Sequence, residues 1–362
     1  MNAPLQKIRY ATANRTGEHA VPSVDLGCAV SVSGLRCRRL QRNLLPSAVF
    51  IFFACLPVAL SFAASQAKET KNAPPAPLAP GAYFGLKLPG ETPEFFAPGI
   101  ISIPGRNVGH LAFSPDATEC YFTVYDGIYT NSRILFTRYE NGAWTPQAPV
   151  AFAGGRENME PLFSRDGNRL YFGVKNSAKE PLDTDFWMVE RASRAQEWSS
   201  PLPLPAPFNS PKEEWNLAQT ADGAIYFASN RDGGLGGLDI YRTVSKPGQP
   251  LQLENLGAPV NSEFNDGDPG ISPDGKTLVF YSVPNRPGVT GGSDLFICFD
   301  NGHGGWTTPV NMGEGFSTPG DEFAATFSQD GRVLFFARFD GKRGEVYWVS
   351  TTALERFRKL SH

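Results

Sequence analysis

The chain has 362 residues, with 33 Lys and Arg against 36 Asp and Glu and a formal net charge of −3. The near balance is uneven: residues 44–362 carry 26 basic and 34 acidic side chains, a net of −8. An acidic body excludes a nucleic-acid binder, which needs surplus cations to displace phosphate counterions.

Residues 1–43 have the opposite sign: Lys7, Arg9, Arg15, Arg36, Arg38, Arg39 and Arg42 stand against Glu18 and Asp25. Leu44 to Ala64 then form an uncharged stretch of 21 residues. A basic flank, an apolar core and the small residues Ser65 and Ala67 are the build of a secretory signal. The stretch is long enough to span a bilayer, but Pro46, Pro57 and the small-residue exit favour cleavage. Residues 1–67 are therefore read as a leader with its signal core at 44–64, and the protein as periplasmic or secreted. Membrane attachment is expected only if that core is retained as an anchor. Cys28, Cys37 and Cys55 fall in the leader, which leaves Cys120 and Cys298 as two separate buried thiols. Residues 68–82, rich in Pro and Ala, are read as a stiff, extended linker.

From residue 83 one pattern recurs five times: a short apolar run, a Ser/Thr-x-Asp-Gly turn and a strand ending in aromatics. The copies are LAFSPDATECYF, PLFSRDGNRLYF, LAQTADGAIYF, GISPDGKTLVF and ATFSQDGRVLFF. Their aspartates, Asp116, Asp166, Asp222, Asp274 and Asp330, are 50, 56, 52 and 56 residues apart. That period, in strands with no helical pattern, is the signature of a radial β array. Each copy is read as a blade of four antiparallel strands. Third strands fall at Ile134–Phe136, Asp185–Val189, Asp239–Tyr241, Asp294–Phe296 and Val346–Trp348, and fourth segments open near Trp144, Trp198, Gln252 and Trp306. Copy one has Ala117 where Gly is usual, which predicts a strained hairpin. Copy five has no fourth segment, and TTALERFRKL after Ser350 is read as a short helix. Residues 93–102 are expected to supply the missing outer strand and close the ring. The fold class predicted for 83–362 is thus an all-β, five-bladed propeller; the alternative of six blades needs residues the chain lacks.

The motifs Ser114-Pro115-Asp116, Ser272-Pro273-Asp274-Gly275 and the run from Ser229 to Tyr241 resemble the TolB-like, or WD-repeat-like, β-propellers. The likeness covers the whole body, and its repetition makes it specific. It implies a binding scaffold whose partner is a protein or envelope component met by one face of the disc.

In a propeller the residues leading into each innermost strand gather around a central channel. Counting back four positions from each turn Ser or Thr gives His110, Glu160, Asn216, Asp268 and Ala324. Further back lie Asn107, Glu157, Glu213, Glu214, Asp266, Asp321 and Glu322, and the loops after the second strands bring Lys175, Arg231, Arg286, Lys342 and Arg343. The candidate ligand-binding funnel is His110, Glu157, Glu160, Glu213, Asn216, Asp266, Asp268, Glu322 and Arg231. Such polar groups can equally serve only to satisfy the backbone and one another. No cofactor is expected; were a metal held by His110, Glu160 and Asp268, an oxygen-rich ring would suit calcium. A small ligand or glycan would fit the funnel, and the alternative to a non-catalytic scaffold is a glycosidase-like enzyme pairing Glu160 with Asp268. No Gly-x-Ser-x-Gly nucleophile elbow is present. Asp185, Asp239, Asp294 and Glu345, recurring at the third strands, are read as structural, because a recurring position usually holds the repeat together.

Overall fold

The computed structural model describes residues 77–127, 130–175 and 183–361; the leader and residues 68–76 of the linker lie outside the described residues.

Each repeat fastens its own turn. The Ser hydroxyl donates to the Asp two positions on at 2.6 Å in Ser114–Asp116, Ser164–Asp166, Ser272–Asp274 and Ser328–Asp330, and Thr220 donates to Asp222. The Ser oxygen also accepts the backbone N–H five residues on, from Glu119, Arg169, Thr277 and Val333. The turn then needs a left-handed residue, and Gly167, Gly223, Gly275 and Gly331 supply it at φ 70°, 92°, 71° and 72°. Copy one bears the expected strain, since Ala117 is held at φ 55°.

These turns join the inner two strands of five antiparallel sheets. The innermost strands are Asn107–Phe113, Asn158–Phe163, Glu214–Gln219, Asp266–Ile271 and Asp321–Phe327. Each touches the next, and the last touches the first, so the sheets stand around one axis as a five-bladed propeller. The innermost strands are buried almost throughout, because neighbouring blades cover one side and the channel the other. Third strands lie where the repeats place them, at Arg133–Glu140, Thr184–Glu190, Asp239–Val244, Asp294–Phe299 and Gly344–Ser350. Cys120 and Cys298 are free and buried, and burial pushes both thiols up.

The ring is closed by its own beginning. Glu94 and Phe95 pair with Trp348 and Tyr347, so the last sheet takes its outer strand from the N-terminal side of the body. Phe96, with no exposed surface, packs its ring 5.1 Å from Phe335 and 4.9 Å from Trp348 of blade five, and 6.0 Å from Phe113 of blade one. Tyr83 repeats the clasp, its N–H donating to Ala117 O at 3.1 Å while its ring lies between Phe113 and Trp348. Closure removes sheet edges that would otherwise invite pairing with other chains.

The outer strands begin a few residues into the fourth segments, which open as expected: Ser199 N–H donates to Glu190 O at 2.8 Å, and Trp306 forms a β-bridge with Asp300. In blades two and four they are Leu202–Pro203 and Val310–Asn311, later than Trp198 and Trp306. The indoles serve the preceding blade. Trp198 Nε1 donates to Tyr121 Oη at 2.9 Å, and Trp306 lies edge-on to Tyr226 at 6.4 Å. In blade one, Ala143–Trp144 and Ala148–Pro149 both pair with the third strand. The chain finishes in short helical turns, Thr351–Leu354 and Glu355–Arg358, with Phe357 packed on Phe316.

Candidate functional site

Each innermost strand is kinked at the same place. The pairing register shifts between Val108 and Leu111, Met159 and Leu162, Trp215 and Ala218, Gly267 and Gly270, and Phe323 and Thr326. The kink contains the position four before the turn, and in four blades that residue is left-handed: Glu160 at φ 56°, Asn216 at 46°, Asp268 at 45° and Ala324 at 57°. Each such residue costs on the order of 1–3 kcal/mol. Its repetition marks a β-bulge that re-aims the side chain and its N–H.

The bulges stitch one blade to the next. Glu160 N–H donates to Thr123 Oγ1 at 3.0 Å, Asn216 N–H to Glu160 Oε2 at 2.6 Å, Asn216 Nδ2 to Pro269 O at 3.2 Å, and Ala324 N–H to Asp268 Oδ2 at 3.1 Å. Gly344 N–H closes the circuit on Asn107 Oδ1 at 3.1 Å. Within this circuit three ionisable groups meet. His110 Nε2 is 3.2 Å from Asp268 Oδ2 and 3.9 Å from Glu160 Oε1, and all three side chains are buried. Burial disfavours the imidazolium, but the charges of Asp268 and Glu160 outweigh it and hold His110 above its usual range. Burial, reinforced by Asp268, pushes Glu160 up to about 7 against the pull of His110. His110 Nδ1 is buried with no hydrogen-bond partner. Three groups from blades one, two and four can therefore share a proton or a cation on the axis.

The two ends of the channel differ. At the turn face Arg165, in the place of Pro in Ser-Pro-Asp-Gly, reaches across the axis. Its guanidinium donates to Gln219 O at 2.9 Å, Thr220 O at 3.3 Å and Gln329 Oε1 at 2.7 Å, and Gln329 Nε2 donates to Phe163 O at 3.1 Å. This plug joins blades two, three and five across a small cavity lined by Leu162, Leu217, Ile271 and Ala325. At the other face large side chains flank the ring, each set against a Gly or Ala. A Cβ on Gly109 would meet Tyr125 at 2.8 Å, and one on Gly267 would meet Tyr281 at 2.6 Å. Trp215 pairs with Ala228, and Phe323 with Ala337. Phe323 lies 6.0 Å from the His110 ring, and Trp215 and Tyr281 are half-buried.

The residues expected as one funnel are divided by the structure. His110, Glu160, Asn216 and Asp268 form the ring. Asp266 and Glu322 lie in buried ion pairs beneath the rim: Asp266 with Arg286, and Glu322 with Arg338 at 2.9 Å. Arg231 is bound to Glu214 at 3.1 Å and to the carbonyls of Pro207 and Phe208. Their chemistry is spent on holding loops, so the grouping of Asp266, Glu322 and Arg231 with the axial residues is corrected. Glu157, 3.4 Å from Lys175, and Glu213, which accepts Trp215 Nε1 at 3.1 Å, are half-buried rim residues. Asp239 accepts Leu235 N–H at 2.6 Å and Asn255 Nδ2 at 2.7 Å, the structural role read for it. Sequence reading missed the Arg165 plug and the flanking aromatics. Gly109 and Gly267, each one residue before a ring position, were the available signal for Tyr125 and Tyr281.

No family model matches the chain, and no curated protein matches it in sequence. Solved structures similar to it include a TolB candidate from Agrobacterium tumefaciens, at 17% identity and TM-score 0.45 over 68% of this chain and 78% of that one. An α-L-arabinofuranosidase from Podospora anserina, solved with cellotriose, matches at 10% identity and TM-score 0.43 over 72% and 97%. A GH43 endo-arabinanase from Bacillus licheniformis matches at 12% identity and TM-score 0.42 over 68% and 95%. At these values the likenesses carry nothing about activity.

Proposed function

We propose that this protein is a non-catalytic binding propeller, exported from the cytoplasm, which receives a protein or envelope component at the channel mouth opposite the Arg165 plug. The observation that carries this reading is the imidazole of His110, 3.2 Å from Asp268 and 3.9 Å from Glu160. Carboxylate-pair hydrolysis needs the two acids to flank a scissile bond about 5–9 Å apart, with room for sugar or water between them. Here a side chain stands there, and the acids are 3% and 6% exposed. The rim, by contrast, offers half-buried Trp215, Tyr281, Glu157, Lys175 and Glu213, a mixed aromatic and charged surface suited to a partner. Membership of the TolB-like propellers is supported by the repeated Ser/Thr-x-Asp turns, of which Ser272-Pro273-Asp274-Gly275 has the full Ser-Pro-Asp-Gly form. Export is supported by the basic flank and apolar core of residues 1–67; no helix of the described residues is long and apolar enough to cross a membrane.

The full chain, screened by thermal shift against peptides and oligosaccharides, is expected to give a ligand that raises the melting temperature without being consumed. At a hundredfold excess over Kd the gain is about 2.7 kcal/mol. Turnover of any glycan that disappears in Glu160→Gln would overturn the scaffold reading in favour of the carboxylate pair. Export is checked separately, by fractionating bacteria that express the tagged full chain and sequencing the mature N-terminus, expected near residues 65–68.

A further inference from the structure

We infer that His110, Glu160 and Asp268 form a site for one divalent transition cation, of the zinc or manganese class, on the propeller axis. One nitrogen and two carboxylate oxygens come within 4.8 Å of one another, from three different blades. Zinc bonds to His nitrogen and carboxylate oxygen are about 2.0–2.2 Å, which sets tetrahedral donors roughly 3.4 Å apart. The His110–Asp268 separation of 3.2 Å already fits, and the His110–Glu160 separation of 3.9 Å needs only a small side-chain rotation.

The surroundings favour a cation in three ways. Four other buried acids have a guanidinium: Glu119 has Arg191 at 3.0 Å, Glu214 has Arg231, Asp266 has Arg286 and Glu322 has Arg338, while Asp239 and Asp294 are met by backbone N–H groups and Asn donors. The ring has none; the charges acting on Glu160 and His110 are those of the ring itself. Two buried carboxylates facing one imidazole leave negative charge that no Arg offsets. Second, each acid is held by a backbone N–H: Glu160 through Oε2, the oxygen other than the Oε1 that faces His110, by Asn216, and Asp268 through Oδ2, the oxygen that faces His110, by Ala324. This is the outer support that orients metal ligands. Third, the proton that His110 Nε2 donates toward Asp268 Oδ2, 3.2 Å away, occupies the place a cation takes when it displaces that proton. A single imidazole with two carboxylates falls short of the six to eight oxygens calcium takes.

The inference uses the same channel as the proposed function but does not depend on a ligand at the mouth. Full chain stripped with a chelator is titrated with zinc, manganese and calcium by calorimetry. Crystals of the unmodified protein grown with the metal are measured at its absorption edge. The expected result is one transition ion per chain, bound at least tenfold tighter than calcium, with an anomalous peak between His110 Nε2 and the two acids. His110→Gln is expected to lose binding by tenfold or more; the unmodified-protein crystals stand whether or not that variant folds. No peak on the axis at saturating metal, a peak elsewhere, or unchanged affinity in a folded His110→Gln would overturn the assignment. Any of these results leaves the peptide and glycan screen untouched.

Discussion

Ala117 and Gly223 occupy the same turn position in two blades, at φ 55° and 92°, and only one of them is suited to it. Nothing lies within 4 Å of a Cβ built on Gly223, so Gly223→Ala isolates the backbone cost. It is expected to lower stability by about 1 kcal/mol, and Ala117→Gly to leave it level or raise it by a few tenths, as read by urea unfolding. This detail was visible in the sequence because the other four copies supply the comparison. The protonation of single groups was not. Burial pushes Glu214 up to about 7, against hydroxyl and backbone donors at Ser210 and the charge of Arg231. The folded state thus holds this proton more tightly than the unfolded chain. The stability it adds is complete below about pH 4.5 and is lost as pH rises through about 7. A loss on the order of 1–3 kcal/mol between pH 5 and 8 is expected from this group, and Glu214→Gln should flatten that part of the pH profile. Equal slopes in both proteins would contradict it.

Among the elements, the latch and the plug show where sequence reading succeeds and where it stops. The latch was legible: copy five lacks its outer strand, and residues 93–102 have the composition of one. Phe96→Ala removes a ring with no exposed surface from the seam of blades one and five, and should cost about 3–5 kcal/mol in urea unfolding. Leu202→Ala, on a side chain 58% exposed in the outer strand of blade two, should change stability by less than about 0.5 kcal/mol. The plug was not legible, because Arg165 reads in sequence as an ordinary turn residue. Its partners, Gln219, Thr220 and Gln329, are 54 to 164 residues away. Arg165→Ala strips donors from their carbonyls and is expected to cost about 1–3 kcal/mol. The packing of the Trp198 and Trp306 indoles on a neighbouring blade was not legible for a related reason. Period-2 alternation marks a strand but does not distinguish a pleat residue from one that leaves the sheet to wedge against the preceding blade.

At the scale of the molecule, the ring exists because five bulges fall at one height on five strands. The repeat placed His110, Glu160, Asn216 and Asp268 at equivalent positions, and that much of the site was legible. Counting from the turns cannot show which acids face the axis and which face a neighbouring loop. Asp266 and Asp268 differ by two residues, yet one is paired with Arg286 and the other with His110. The bulge between Gly267 and Gly270 breaks the simple alternation and separates their roles.

The same geometry gives the disc two unlike faces, one plugged and one offering the rim. The proposed function turns on which face receives the partner. Hydrogen exchange of the full chain, with and without the peptide or oligosaccharide found by thermal shift, reads this out. Protection is predicted at residues 105–110, 156–160, 212–216, 262–268 and 318–323, with none at the turns 114–118, 164–168, 220–224, 272–276 and 328–332. Protection confined to those turns, or to the outer strands, would contradict it.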